Sequence, residues 1–108
     1  MDRLALINDM LKESPNDPFL HYAAALEHRK AGNNTAAVEV LTTLNSTSPD
    51  YLPCYYQLGQ LLEQTGQIDA AIEVYRAGKK VAQAQKEHKT AGEINEALVL
   101  LDADDEDW

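Results

Sequence analysis

Cysteine is nearly absent: Cys54 stands alone among 108 residues. No disulfide can form within such a chain, and the reducing cytoplasm is its expected setting. Positive charge is also scarce, with nine Lys and Arg against 18 Asp and Glu and a formal net charge of −9. Phosphate backbones require clustered cations, so the field of this chain excludes nucleic acid as the expected partner. Long apolar runs are missing. The longest, Ala23 to Leu26 and Ala97 to Leu101, fall far short of the roughly 20 residues that a membrane helix needs. The opening Met1-Asp2-Arg3-Leu4 carries neither a basic segment nor an apolar stretch, so no secretory signal is expected. Phosphate-binding and dinucleotide-binding glycine motifs, a nucleophile elbow and a metalloprotease motif are all absent, with no strand pattern to seat one. The expectation is therefore a non-enzymatic chain with no cofactor and no metal.

What is present is a repeat. Gly32 and Gly66 lie 34 residues apart, as do Pro15 and Pro49, and the same interval pairs Tyr22 with Tyr56, Ala36-Ala37 with Ala70-Ala71, Glu39 with Glu73 and Val40 with Val74. Self-similarity at this period marks an array of helix–turn–helix units, each burying its apolar face against its neighbours. Such arrays usually bind other proteins.

The spacing of apolar residues divides the chain into helices. Leu4, Ile7, Met10 and Leu11 share one helical face, and the turn formers of Ser14-Pro15-Asn16-Asp17-Pro18 end it. A second helix is predicted from Pro18 to Ala31, capped by Asp17 with proline in its first position, and Gly32-Asn33-Asn34 closes it. Thr35 to about Asn45 forms the third, with Ala37, Val40, Leu41 and Leu44 on one stripe. After the break at 46–50, a fourth runs from about Leu52 to Thr65 and stops at Gly66. The fifth is expected from Ile68 to as far as Gln85, and the sixth from Glu87 to Leu101, although no proline marks the boundary between them. Residues 102–108 are too acidic and too poor in apolar side chains to pack, so a disordered tail is expected.

Tyr55, Leu58-Gly59, Gly66, Ala71, Tyr75 and Gly78 stand at the spacings of the tetratricopeptide repeat, and the chain resembles that family over nearly its whole length. His21, Ala24-Ala25, His28, Gly32, Ala37, Leu41, Leu44 and Pro49 repeat the pattern more weakly, and Ile7, Met10 and Pro15 resemble the second half of a truncated unit. Leu62 replaces a usual aromatic and Gln83 a usual proline, which fits a longer fifth helix at the end of the array. The resemblance implies an all-α, right-handed superhelix in a single domain over 1–101. It would comprise a half repeat at 2–13, full repeats at 18–51 and 52–85, and a capping helix at 87–101. Small, stand-alone bacterial repeat proteins look similar. In that architecture Ala25/Gly59 and Ala37/Ala71 would let paired helices approach closely, and larger side chains such as Tyr55 and Tyr75 would fill the space between units.

The same resemblance implies a concave face presenting Phe19, Tyr22, Leu26 and Arg29 from the first unit and Tyr56, Gln60 and Glu63 from the second. Tyrosines on such a face suit peptide recognition, since they bury large area at small rotamer cost and keep a hydroxyl for bonding. The expected function is an adaptor that receives a protein, peptide or helix there; the alternative is a self-associating homodimer subunit, because short arrays have little core. Some family members grip a partner's terminal carboxylate with Lys, Asn and Arg, but this chain has Tyr22, Leu26 and Gln57 where these would be sought. Other readings are weaker. His21 and His28 lie two turns apart, about 10.5 Å, too far to share a metal, and they occupy aromatic packing positions. Cys54 has no patterned His or Asp partner for nucleophilic chemistry. The acidic tail with Trp108 lacks a calcium-loop pattern, and could instead meet the basic stretch Arg76 to Lys89 of a neighbour.

Overall fold

The computed structural model describes residues 2–101 and 103. Among these are six helices: α1 (Arg3–Glu13), α2 (Pro18–Lys30), α3 (Asn34–Thr47), α4 (Pro53–Gln64), α5 (Ile68–Ala84) and α6 (His88–Leu100). The described residues contain no strand, and no helix is long and apolar enough to cross a membrane. The chain divides into two compact units, Met1–Cys54 and Tyr55–Trp108. Apart from Ala103, the expected acidic tail lies outside the described residues.

In the first unit, local chemistry sets each helix start. The Asp2 carboxylate accepts from the Ala5 amide at 2.7 Å, and Asp17 accepts from the Phe19 amide at 2.9 Å with Pro18 in the first turn. Each side chain thereby satisfies a backbone donor that the helix leaves unpaired. Asn33 serves α3 in the same way through the Ala36 amide. Helix α2 packs on α1 and on α3. Their apolar stripes meet as Ile7, Leu20, Ala24, Ala25, Ala37, Leu41 and Leu44, all buried. Helix α3 continues two residues beyond the expected Asn45, to Thr47. Thr47 turns its hydroxyl back onto the Thr43 carbonyl at 3.1 Å, so a residue that reads as a turn former is satisfied within the helix.

In the second unit the core is built from Tyr55, Leu58, Leu61 and Leu62 of α4, Ala71, Tyr75 and Ala82 of α5, and Ala91, Ile94 and Leu98 of α6. Two glycines decide how closely α4 and α5 approach. A Cβ on Gly59 would lie 2.2 Å from the Tyr75 ring, and one on Gly78 would lie 2.6 Å from the Tyr55 Cβ. Each tyrosine thus seats on the glycine of the facing helix. Helix α5 also packs on α6, where buried Lys79 donates from Nζ to Asn95 Oδ1 at 3.0 Å. Burying an ammonium is costly unless its protons are bonded, so this contact fixes the register of the pair.

Three helices end in one and the same hydrogen-bonded arrangement. After α2, Gly32 N–H donates to the Arg29 carbonyl and Asn33 N–H to the His28 carbonyl; after α4, Gly66 donates to Glu63 and Gln67 to Leu62. Both glycines take positive φ, 82° and 81°, the left-handed conformation that closes a helix in this way. After α5, Lys86 donates to Gln83 and Glu87 to Ala82, and Lys86 itself sits at φ 60°. The boundary that carries no proline is therefore made by a lysine in a glycine's place.

Candidate functional site

The residues expected on the first unit's binding face separate in the structure. Phe19 is exposed and lines a recess of about 170 Å³ with Leu6, Ile7, Met10 and Leu20. Tyr22 instead faces Tyr51, ring centroids 5.5 Å apart and tilted by 59°. Leu26 and Arg29 are half-buried further along α2. Another recess of this unit, about 450 Å³, has Pro15, His21, Glu39, Val40 and Thr43 among its lining and none of the expected residues.

The second unit gathers its three. Tyr56, Gln60 and Glu63 follow at i, i+4 and i+7 on α4, one helical stripe, and all three line a cleft of about 260 Å³. Helix α6 supplies the facing wall with Glu93, Glu96, Ala97 and Leu100, and Tyr75 of α5 contributes as well. The Tyr75 hydroxyl donates to Glu63 Oε2 at 2.5 Å, and the Tyr56 and Tyr75 rings lie 6.2 Å apart, tilted by 48°. Tyr75 is otherwise fully buried, so its hydroxyl positions Glu63 from within the core. Glu93, Glu96, Ala97 and Leu100 were not among the expected residues. Their signal is faint in sequence because α6 departs from the 34-residue register that relates Tyr22 to Tyr56.

The groups considered for chemistry are accounted for by structure. Cys54 is buried and its thiol donates to the Leu41 carbonyl at 3.2 Å; burial pushes its pKa up to about 12. A thiol held that far from its reactive thiolate is a poor nucleophile. His21 bonds through Nε2 to the Pro15 carbonyl at 2.7 Å. A carbonyl only accepts, so that nitrogen carries the proton and pins the turn between α1 and α2. Among the described residues no group of three or more His, Cys, Asp or Glu is placed to hold a metal ion.

Comparison with known proteins agrees with the helix pattern. The tetratricopeptide repeat family model matches residues 28–91. A tetratricopeptide repeat domain protein from Salinibacter ruber is similar in its crystal structure, with TM-score 0.76 and 37% identity over 80% of this chain and 96% of that one. A solution structure of a tetratricopeptide repeat domain protein from the same organism gives TM-score 0.78 and 36% identity over 85% and 93%. The crystal structure of MamA, at 19% identity and TM-score 0.69 over 93% of this chain and 59% of that one, shares the fold. No curated protein matches the sequence. The chain belongs to the tetratricopeptide repeat family, and its fold is the all-α fold of that family.

Proposed function

We propose that the chain is a non-enzymatic, cytoplasmic interaction module that receives a peptide or helix of a protein partner, with the α4–α6 cleft as its contact site. One observation carries this reading: Tyr56, Gln60 and Glu63 open onto a single cleft whose other wall, from α6, ends in the exposed Leu100. A ring, an amide, carboxylates and an apolar rim offer the mixture of apolar area and directed polar groups on which specific contacts are built. At about 260 Å³ the cleft is smaller than a typical small-molecule pocket and suits one or two side chains of a partner segment. The test compares capture from native lysate by wild type and by the Tyr56→Ala/Gln60→Ala variant, with circular dichroism reporting that the helices persist. A protein retained by wild type and lost by the variant is the expected result. Equal retention by both removes the site from this cleft.

A second reading is favoured by a separate observation. Leu6, Met10 and Phe19 are 52%, 47% and 60% exposed around the apolar recess of α1 and α2. In the 34-residue register Met10 is equivalent to Leu44 and Gly78, both of which are buried. Self-association through this exposed face of α1 and α2 would bury it. Sedimentation at micromolar concentration tests this: a monomer throughout removes the homodimer reading.

A further inference from the structure

We infer that the segment received by the α4–α6 cleft is basic and inserts an arginine or lysine side chain between Tyr56 and the glutamates of α6. The inference rests on the interaction reading above and adds the chemistry of the partner.

The distribution of charge about the second unit carries it. Three carboxylates line the cleft, Glu63 from α4 and Glu93 and Glu96 from α6, and no Lys, Arg or His is among its lining residues. The cations of the same unit stand elsewhere. Arg76, Lys80, Lys86 and Lys89 are all exposed on α5, the α5–α6 turn and the start of α6, and Lys79 is buried against Asn95. Three carboxylates thus share the cleft with no cation among its lining, while Asp69, Glu73 and Glu87 of the same unit lie outside it. Two further features make the cleft a receptor for a cation instead of a merely solvated acidic face. The half-buried Tyr56 ring, backed by the buried Tyr75 ring 6.2 Å away, offers aromatic surface beside the carboxylates, where a guanidinium or ammonium gains from the ring's negative face as well as from charge. Leu100, 79% exposed at the rim, provides apolar surface for the methylene stem of the same side chain. Glu63 is held in place by the Tyr75 hydroxyl, so one carboxylate is oriented before any ligand arrives, which lowers the ordering cost of binding. This polarity is opposite to that of a carboxylate-gripping site, which needs cations where this cleft has acids.

The experiment uses fluorescein-labelled nonapeptides of one neutral helical background whose central residue is Arg, Lys, Gln or Glu, followed by fluorescence polarisation with the full chain. The expected result is binding of the Arg and Lys peptides about tenfold tighter than the Glu peptide, weakening as NaCl is raised from about 50 to 500 mM because the attraction is screened. Glu93→Gln with Glu96→Gln, both exposed positions, removes the preference. Glu39→Gln with Glu73→Gln, equally exposed and outside the cleft, leaves it in place although the net charge changes by the same amount. Loss of the preference in both double variants attributes it to the overall negative field and overturns the inference. Equal binding of the Arg, Lys, Gln and Glu peptides, still abolished by Tyr56→Ala/Gln60→Ala, overturns the basic-partner inference and leaves the interaction site standing. Absence of binding by any peptide, or binding indifferent to Tyr56→Ala/Gln60→Ala, overturns both.

Discussion

Gly59 and Cys54 show how much a single side chain, or its absence, decides in this protein. A methyl group at Gly59 collides with the Tyr75 ring at 2.2 Å, and neither a buried ring nor the helix that carries it can retreat without opening the core. Gly59→Ala is expected to cost about 1–3 kcal/mol in urea unfolding, the range of overpacking. Gly92, on α6 with nothing within 4 Å of a new Cβ, is the internal control. Its replacement by Ala should stabilise by about 0.5–1 kcal/mol through helix propensity. A similar cost at both sites would remove the packing explanation. Cys54 carries a pH prediction. Its folded pKa of about 12 stands above the ordinary thiol value of 9.0, so between those values the unfolded chain has released a proton that the folded chain retains. Stability contributed by the buried neutral thiol is complete below about pH 9 and falls as pH rises toward 12, by at most about 1.4 kcal/mol per pH unit. Burial raises the Tyr51 hydroxyl in the same sense, so the Cys54→Ala variant should lose only part of this alkaline slope. At neutral pH a thiol reagent should label Cys54 on unfolding and leave the native chain unmodified.

Helices in this chain are positioned by their ends. Asp2, Asp17 and Asn33 begin three of them with side-chain caps, and Gly32, Gly66 and Lys86 end three with the same pair of backbone bonds. Only the last does so at steric expense, since an L-residue at φ 60° brings its Cβ against the backbone. Lys86→Gly is expected to raise stability by about 1 kcal/mol, read as a shift in denaturation midpoint, with helix content unchanged. A loss of stability would mean that the Lys86 side chain holds the turn by a contact outweighing the backbone strain. The same boundary explains why α5 and α6 are hard to separate in the sequence: Lys86 looks like any exposed helical lysine until its backbone angle is known.

Across the whole molecule the dominant quantity is the net charge of −9. Self-repulsion of that size opposes the compact state and is screened by salt. The melting temperature of the chain is therefore expected to rise as NaCl is increased from low concentration, while the binding of a basic peptide weakens. A single salt series read by both signals separates the two effects, and a melting temperature that falls with salt would show that attractive pairs outweigh the net repulsion.

The sequence by itself determined the fold class, because apolar spacing and the 34-residue interval between glycines are local, periodic properties that survive without coordinates. Proline and capping residues also placed the ends of α1 and α2 within a residue or two of where they fall. Expectation and structure part where the deciding neighbour is distant along the chain. That Tyr55 sits on Gly78 and Tyr75 on Gly59 could be suspected from small and large residues at family spacings, but the contact depends on how α4 and α5 approach. Tyr22 and Tyr56 are equivalent in sequence, yet one faces Tyr51 and the other lines a cleft. Periodicity assigns a residue to a face; only the elements packed against that face decide what the residue meets. The acidic cleft is the clearest case. Glu63 and the pair Glu93 and Glu96 lie 30 or more residues apart on helices out of register with each other, so nothing short of the tertiary structure brings their carboxylates to one place.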